Sequence, residues 1–304
     1  MTARTRSGSA PLSIAVAGGT GMIGRRLVAA LTERGHRARV LSRRHQPAFD
    51  LDADGAAADA DRSAALSGTE VAYYLVHGLE RPDFAVRDSL HARRFGSAAA
   101  TARVGRIVYL GGLGTPPLSD HLASRRAVES DLAAGGVQVV ALRAGMVIGA
   151  GGASWELARQ LATRAQLLAV PLAAAQRTQP IGLDDVCGYL ADAAELTDPA
   201  SVYEVGGADV LTFAELLMLI GRLAGGRPPV LLPVPVRAAP QSWMGRLVAS
   251  VTEVDPEVAV NLLKSMTTPT VVTDQAARRD MPREPMDFRT AARRALAEAG
   301  NGLG

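Results

Sequence analysis

The glycine residues between an apolar segment and a helical pattern near the N-terminus could bind a phosphorylated ligand. They are Gly18, Gly21 and Gly24, they follow the apolar run 12–17, and the helical pattern begins at about Met22. In such a strand-to-helix turn, the first glycine permits a tight bend, the second lets backbone N–H groups approach a pyrophosphate, and the third lets the helix pack on the strand. The helix N-terminus adds N–H donors and a positive dipole end. We therefore expect the turn to bind a dinucleotide.

The residues after the second predicted strand indicate which dinucleotide this would be. That strand, residues 36–41, runs into Ser42, Arg43 and Arg44 and carries no carboxylate at its end. A site for NAD usually places an acidic residue about twenty residues after the glycines, where it binds the ribose hydroxyls. A guanidinium instead suits a 2′-phosphate and stays charged. The pattern favours NADP(H) over NAD(H), while two solvated surface arginines in an Arg-rich chain remain the alternative.

Several segments resemble the atypical and extended short-chain dehydrogenase/reductases, and in particular their NmrA-like NAD(P)H-binding branch. These segments are GGTGMIG, VAYYLVHGL, RIVYLGGLG, LRAGMVIGAGGASWE, RTQPIGLDDVCGYL and YEVGGADVLTFAELL, and together they span roughly residues 12–223. The resemblance implies cofactor contacts from these residues: Thr20, Gly21, Met22, Ile23, Asp59, Leu75, Val76, His77, Leu110, Gly111, Gly112, Ala144, Gly145 and Met146.

The chain departs from this family where a catalytic Tyr-x-x-x-Lys pair normally stands. His121 and Arg125 occupy those positions, and their spacing of four residues puts them on one helix face. In one interpretation His121 is the proton donor, with a pKa near the working pH, and Arg125 holds the nicotinamide ribose. In the other, the site has lost its acid–base pair, and both are ordinary helix residues.

The substrate side of the site is predicted to be apolar. Candidate residues facing the substrate are Trp155, Glu156 and Trp243, although a Glu at a helix start is also a common partner of the helix dipole. An apolar pocket suits a ketone, enone or quinone better than a charged sugar. The spacing of the five histidines is not that of metal ligands, so no metal site is predicted.

These residues need a framework of alternating strands and helices. Predicted strands at residues 12–17, 36–41, 71–76, 106–110 and 137–142 are separated by helical patterns, with a further short strand near 55–60 and a brief helix over 63–66. The alternation predicts an α/β fold, a Rossmann-like doubly wound parallel sheet with a small C-terminal capping lobe. The expected organisation is a loose arm over 1–11, a NAD(P)-binding domain over 12–208, whose residues 151–178 contribute to the substrate side, and a capping lobe over 209–304.

Composition narrows the class of protein and its partners. Apolar residues make up 48% and charged residues 21% of the chain, the balance of a globular domain. The net charge of +3 comes without a basic stripe, which argues against a nucleic-acid partner. No apolar run has the length of a membrane span, and the single cysteine, Cys187, excludes an intramolecular disulfide. We expect a cytoplasmic protein that binds a small apolar substrate and no membrane; a homodimer or a regulatory protein partner is left open.

Together the motifs predict an NADPH-dependent reductase that transfers hydride to a carbonyl, enone or quinone of an apolar small molecule. Two alternatives remain open. One, which the missing Tyr and Lys keep open, is a non-catalytic NmrA-like redox sensor that binds NADP(H) and regulates a partner. The other is an epimerase or isomerase that keeps NAD(P) tightly bound for an internal oxidation–reduction.

Overall fold

Alternating strands and helices account for most of the chain. The computed structural model describes residues 10–44, 46–78, 83–171, 176–234, 251–265 and 268–301. In chain order the elements are β1 (Ser13–Ala17), α1 (Met22–Glu33), β2 (Arg37–Leu41), α2 (Ala56–Ala65), β3 (Val71–Tyr74), α3 (Phe84–Thr101), β4 (Arg106–Gly112), α4 (Asp120–Ala133), β5 (Gln138–Ala144), β6 (Val147–Ile148), α5 (Ala153–Arg164), β7 (Leu167–Pro171), β8 (Arg177–Thr178), β9 (Ile181–Gly182), α6 (Leu183–Glu195), β10 (Val202–Val205), β11 (Leu211–Thr212), α7 (Phe213–Leu223), β12 (Val230–Val234), α8 (Pro256–Ser265), α9 (Ala276–Asp280) and α10 (Phe288–Asn301).

Six parallel strands form the central sheet in the order β10-β5-β4-β3-β1-β2. The chain runs outward from β1 to β2 and then crosses back to place β3 on the other side of β1. This reversal is a topological switch point, and ligands of open parallel sheets bind in the crevice beyond the carboxyl ends of the strands there. The predicted fold class, a Rossmann-like parallel sheet, is confirmed.

Apolar strands explain why the sheet is covered on both faces. In β3 all four residues are buried, and in β4 the run Ile107–Gly111 is buried as well. One core cluster packs α1 and α6 against one face of the sheet, and another packs α2, α3 and α4 against the opposite face. Near-continuous apolar strands are typical of parallel sheets buried between helices.

The prediction of a short strand at 55–60 followed by a brief helix at 63–66 is wrong. Residues Ala56–Ala65 form the single helix α2, which leads directly into β3. Six of the ten residues in AAADADRSAA are alanine, which has the strongest intrinsic helix propensity. The side chain of Arg62, only 1% exposed, fixes the loop before α2 by donating to the carbonyl oxygens of Asp50 (2.6 Å) and Ala53 (2.9 Å). The strand β2 is the edge strand of the sheet.

A second apolar core lies beside the sheet, beyond its carboxyl edge. It joins α5 to helices of the C-terminal part of the chain, α7, α8 and α10. Helix α7 begins with a capping box in which the side chains of Thr212 and Glu215 accept each other's backbone N–H groups. Among the helices in the described ranges, none combines the length and the apolar character needed to cross a membrane.

Candidate functional site

A cleft of about 490 Å³ lies at the carboxyl ends of β1, β3, β4 and β5, between the sheet and the second apolar core. Its sheet side contains many of the residues that the sequence analysis assigned to a cofactor. These are Gly18, Gly21, Met22, Ile23, Gly24, Leu75, His77, Leu110, Gly111, Gly112, Ala144, Gly145 and Met146. The candidate catalytic residues His121 and Arg125 line the same cleft.

The glycine-rich turn between β1 and α1 forms one end of the cleft. Gly18 has a positive φ of 81°, and a Cβ atom there would lie 2.8 Å from the carbonyl oxygen of Leu75. A Cβ on Gly24 would lie 2.6 Å from the Cα of Gly19, so only glycine lets α1 pack this closely on the turn. The N-cap of α1 is Gly21, no side chain caps the helix, and its first turn carries no acidic residue. The turn therefore offers an uncrowded helix N-terminus that fits a pyrophosphate.

The ends of β3, β4 and β5 form the floor of the cleft. The Leu113 N–H donates to the carbonyl oxygen of Ala144 (2.8 Å), which ties the ends of β4 and β5 together. A Cβ on Gly112 would lie 2.6 Å from Cδ2 of Leu122, and a Cβ on Gly145 would lie 2.8 Å from the carbonyl oxygen of Gln179. Glycines at these two positions therefore leave room for helix α4 and for the backbone at Gln179.

Other predicted cofactor residues lie outside the lining of this cleft. The carbonyl oxygen of Thr20 accepts a hydrogen bond from the Arg25 guanidinium, and Val76 packs against the core on the α3 side. Ser42 follows β2, its Oγ accepts the Arg44 N–H at 3.1 Å, and the side chains of Arg43 and Arg44 are exposed.

Asp59, which the resemblance placed near the adenine, lies in the first turn of α2. Its carboxylate forms an ion pair with Arg62, the buried arginine that fixes the preceding loop. The side chain of Asp59 is 69% exposed. In this structure Asp59 therefore contributes to the attachment of α2 rather than to the cleft.

Helix α4 presents His121 and Arg125 to the cleft one turn apart. The Ser119 side chain caps the helix by accepting the Leu122 N–H. The Arg125 guanidinium donates a hydrogen bond to the Leu110 carbonyl oxygen and lies 5.1 Å from the centre of the Tyr109 ring. Since the Leu110 carbonyl carries no net charge, the positive charge of Arg125 is held at the strand end without being neutralised by that contact.

The imidazole of His121 lies partly buried beside this charge. Burial of the ring, followed by repulsion from the Arg125 guanidinium and from His77, lowers the pKa of His121 to about 3. Its Nδ1 atom is buried, and no group in the described part of the chain hydrogen-bonds to it. The expectation of a pKa near the working pH is therefore wrong. Burial of the ring is the largest cause, and the charge of Arg125, which stands in the lysine position and repels a second positive charge, is the next.

His77, three residues beyond the end of β3, is a second imidazole in the lining of the cleft. Its side chain is accessible from the cleft, while surrounding protein atoms and the Arg125 charge lower the pKa of His77 to about 4. Both imidazoles are thus neutral at pH 7, and either can accept a proton or donate a neutral N–H hydrogen bond.

Of the predicted substrate residues, Trp155 and Glu156 lie outside the lining of the cleft. Trp155 is 0% exposed in the second apolar core, because it lies on the face of α5 that packs against neighbouring helices. Glu156 pairs with Arg159 and accepts the Gly151 N–H at 3.3 Å, so it stabilises the start of α5. Trp243 lies outside the described residues.

The far wall of the cleft comes from residues that the sequence analysis did not identify. Apolar side chains of α7 and α8 are joined there by hydroxyl-bearing residues: Phe213, Leu216, Leu262, Ser265, Thr268 and Thr270. Arg177 and Thr178 of β8 line the cleft as well. The periodic apolar face of α7 was visible in the sequence, but nothing in it distinguishes a helix face that lines a cavity from one that fills a core.

Comparisons with known proteins support the fold and the nature of the glycine turn. A family model described as the NAD dependent epimerase/dehydratase family matches residues 14–119, which contain β1 to β4 and the glycine turn. No curated protein matches the chain.

Solved structures cover nearly the whole chain at low sequence identity. MoeE5 in complex with UDP-glucose and NAD has a TM-score of 0.69 and 18% identity, over 96% of this chain and 100% of that one. The Thermus thermophilus UDP-glucose 4-epimerase complex with NAD gives 0.68 and 18%, over 96% and 100%. TunA, an NAD dependent-NDP-hexosamine 5,6-dehydratase, gives 0.66 and 18%, over 96% and 98%. The chain therefore shares the fold of these proteins, and over residues 14–119 it is similar to the NAD dependent epimerase/dehydratase family.

Proposed function

We propose that this protein binds a nicotinamide dinucleotide in the cleft, retains it, and catalyses a reversible oxidation–reduction at a hydroxyl-bearing carbon of a small substrate, as an epimerase or dehydratase does. The observation that carries this proposal is the neutral imidazole of His121 beside the positive charge of Arg125. The similar proteins described above include epimerases and dehydratases that use NAD, which supports the same class.

His121 suits the acceptance of a proton from a substrate hydroxyl. With a pKa of about 3, His121 is neutral at pH 7, so a ring nitrogen has a lone pair for the hydrogen bond of a substrate alcohol. Because the same lowered pKa makes His121 a weak base, the proton transfers as the hydride leaves the neighbouring carbon. Reduction first, with His121 as proton donor, would have to start from the rare protonated form.

Arg125 suits the stabilisation of charge on the same substrate oxygen. As the hydroxyl proton moves to His121, negative charge develops on that oxygen, and a fixed guanidinium in a partly buried site stabilises it. Arg125 is held for this by the Leu110 carbonyl and the Tyr109 ring. The return step reverses the transfer: the imidazolium of His121 gives the proton back to the oxygen.

The residues present fit a dinucleotide. The turn from Gly18 to Gly24 would hold its pyrophosphate, and the ends of β4 and β5 would lie beneath its nicotinamide ring. When bound, that ring accepts a hydride from the substrate carbon and returns it. Arg43 and Arg44 after β2 support NADP over NAD, because two exposed guanidinium groups follow the edge strand where a ribose-binding carboxylate would otherwise stand.

A reductase that consumes NADPH is the second candidate. The apolar far wall of the cleft, with Phe213, Leu216 and Leu262, favours it, because such a wall suits a ketone, enone or quinone. In that case each turnover releases NADP⁺ and the dinucleotide exchanges.

Retention of the dinucleotide through purification distinguishes the epimerase or dehydratase from the reductase. The protein is purified without added cofactor, denatured with acid, and the released NAD⁺ and NADP⁺ are quantified by chromatography. Release of close to one equivalent, together with reduction of the retained dinucleotide by cyclohexanol in wild type but not in His121→Phe, supports the proposal. An empty protein that consumes NADPH with cyclohexanone, a quinone or an enone establishes the reductase. NADPH binding without any turnover would favour the redox sensor and overturn the proposal.

A further inference from the structure

A directional chain of hydrogen bonds connects helix α4 with helix α8 at the edge of the cleft. The Leu122 N–H donates to Oγ of Ser119 at 3.4 Å, and the Oγ atoms of Ser119 and Ser265 lie 3.1 Å apart. The Ser265 hydroxyl donates to the carbonyl oxygen of Asn261 at 3.0 Å. The chain thus joins the N-cap of the helix that carries His121 to the last residue of α8.

The hydrogen bond to Asn261 leaves Ser265 able to accept from a ligand. A serine hydroxyl has one proton and two lone pairs. When the proton of Ser265 is donated to the Asn261 carbonyl oxygen, the proton between the two serines comes from Ser119. One lone pair of the Ser265 oxygen then remains, and Ser265 lines the cleft. In this arrangement Ser265 accepts a hydrogen bond from a ligand.

The neighbouring threonines have the same property. The Thr268 hydroxyl donates to the Pro117 carbonyl oxygen at 3.4 Å, and the Thr270 hydroxyl donates to Oγ1 of Thr178 at 2.8 Å. Both donors are engaged within the protein, and both residues line the cleft. This part of the wall favours a ligand group that donates.

Apolar side chains surround these acceptors. Phe213, Leu216 and Leu262 line the cleft beside Ser265, and each of them is less than a tenth exposed. A polar ligand group placed against these three side chains would lose its hydration. The part of the ligand that packs on them is therefore apolar.

We propose that the substrate carries a second hydroxyl, apart from the reacting one, next to an apolar part, and that this hydroxyl donates a hydrogen bond to Ser265. This inference rests on the proposed function for the position of the reacting carbon, and it adds the substrate class. Because Ser265 belongs to the chain that caps α4, a ligand hydroxyl bound there connects the C-terminal lobe with the helix of His121.

Two ligands test this proposal on the wild-type protein: one has a second hydroxyl, and the other has a methyl ether in its place, which cannot donate a hydrogen bond. Cyclohexane-1,4-diol and 4-methoxycyclohexanol are titrated in ligand-observed NMR experiments against protein saturated with NADP⁺. A net hydrogen bond of ordinary strength predicts that the diol binds about two- to tenfold more tightly than the ether. Ser265→Ala should remove this difference, whereas Ser265→Thr, which keeps the hydroxyl, should preserve most of it. Ser130→Ala, at an exposed position of α4, is the matched control.

Equal affinities of diol and ether for the wild-type protein would overturn the proposal, and so would an unchanged preference in Ser265→Ala. Binding of NADP⁺ is measured separately by calorimetry. If NADP⁺ fails to bind, the proposed function fails, while the diol titration without dinucleotide still reports on Ser265.

Discussion

A Cβ atom placed on Gly24 would lie 2.6 Å from the Cα atom of Gly19, closer than real Cβ contacts come. The contact joins the first turn of α1 to the loop that leaves β1, so the side chain at position 24 sets how near the helix N-terminus approaches the turn. Gly24→Ala should force these two backbones apart. We expect a loss of stability of about 1–3 kcal/mol, the usual range for overpacking, and dinucleotide affinity at least tenfold lower.

Gly226→Ala is the matched control for this change. Its Cβ would lie 3.7 Å from the carbonyl oxygen of Gly221, which is ordinary van der Waals contact, and the position is far from the turn in the chain. Urea unfolding gives the stability of each variant, and calorimetry gives its affinity for NADP⁺. If Gly24→Ala bound NADP⁺ as well as Gly226→Ala does, the turn would not be the phosphate site.

Arg43 should determine the choice between the two dinucleotides. If its guanidinium binds a 2′-phosphate, Arg43→Ala lowers affinity for NADPH by about tenfold and leaves affinity for NADH nearly unchanged. A hydrogen bond to a charged group contributes roughly 1.5–3 kcal/mol when it is shielded from solvent and less when it is exposed, as it is at Arg43. Arg37→Ala is the control, because this exposed arginine lies at the opposite end of β2. The same NADPH/NADH affinity ratio in wild type and Arg43→Ala would show that Arg43 is a solvated surface residue.

Arg125 should keep the pKa of His121 low through its charge. Burial is the largest cause of the lowered pKa, and repulsion by Arg125 is the next. Arg125→Met removes the charge and should raise the pKa of His121, whereas Arg125→Lys keeps a charge there and should raise it less. The neighbouring Arg126, which donates to the Gly114 carbonyl at 3.1 Å, gives the control Arg126→Met. NMR titration of the imidazole resonances measures all four proteins; an unchanged pKa in Arg125→Met would refute the coupling.

The glycine turn and the parallel sheet were predictable because their signals are local. Gly18, Gly21 and Gly24 lie within seven residues, and the apolar strands before and after them need no information about distant residues. Ser265 could not be found in the same way, because its role depends on Ser119, 146 residues away in the chain. Trp155 was misplaced because the sequence shows an aromatic residue on an amphipathic helix but not which neighbour covers it.

The lowered pKa of His121 could not be predicted from the sequence for a related reason. A histidine four residues before an arginine on a helix has an ordinary pKa when both are solvated. Here the helix packs the imidazole under other residues and beside a guanidinium that the Leu110 carbonyl holds in place. Both causes of the lowered pKa are properties of the packed site.

His121 should also make folding stability depend on pH. Its pKa falls from an ordinary 6.5 to about 3 on folding, so between these values the unfolded chain binds a proton that the folded protein excludes. The stability due to the neutral imidazole is fully present above pH 6.5 and is lost as the pH falls toward 3. His121→Gln cannot titrate, so its free energy of unfolding should decline less steeply from pH 7 to pH 4. Urea unfolding at closely spaced pH values, with Ser130→Ala as control, measures both slopes; identical slopes in wild type and His121→Gln would mean that His121 titrates normally in the folded protein.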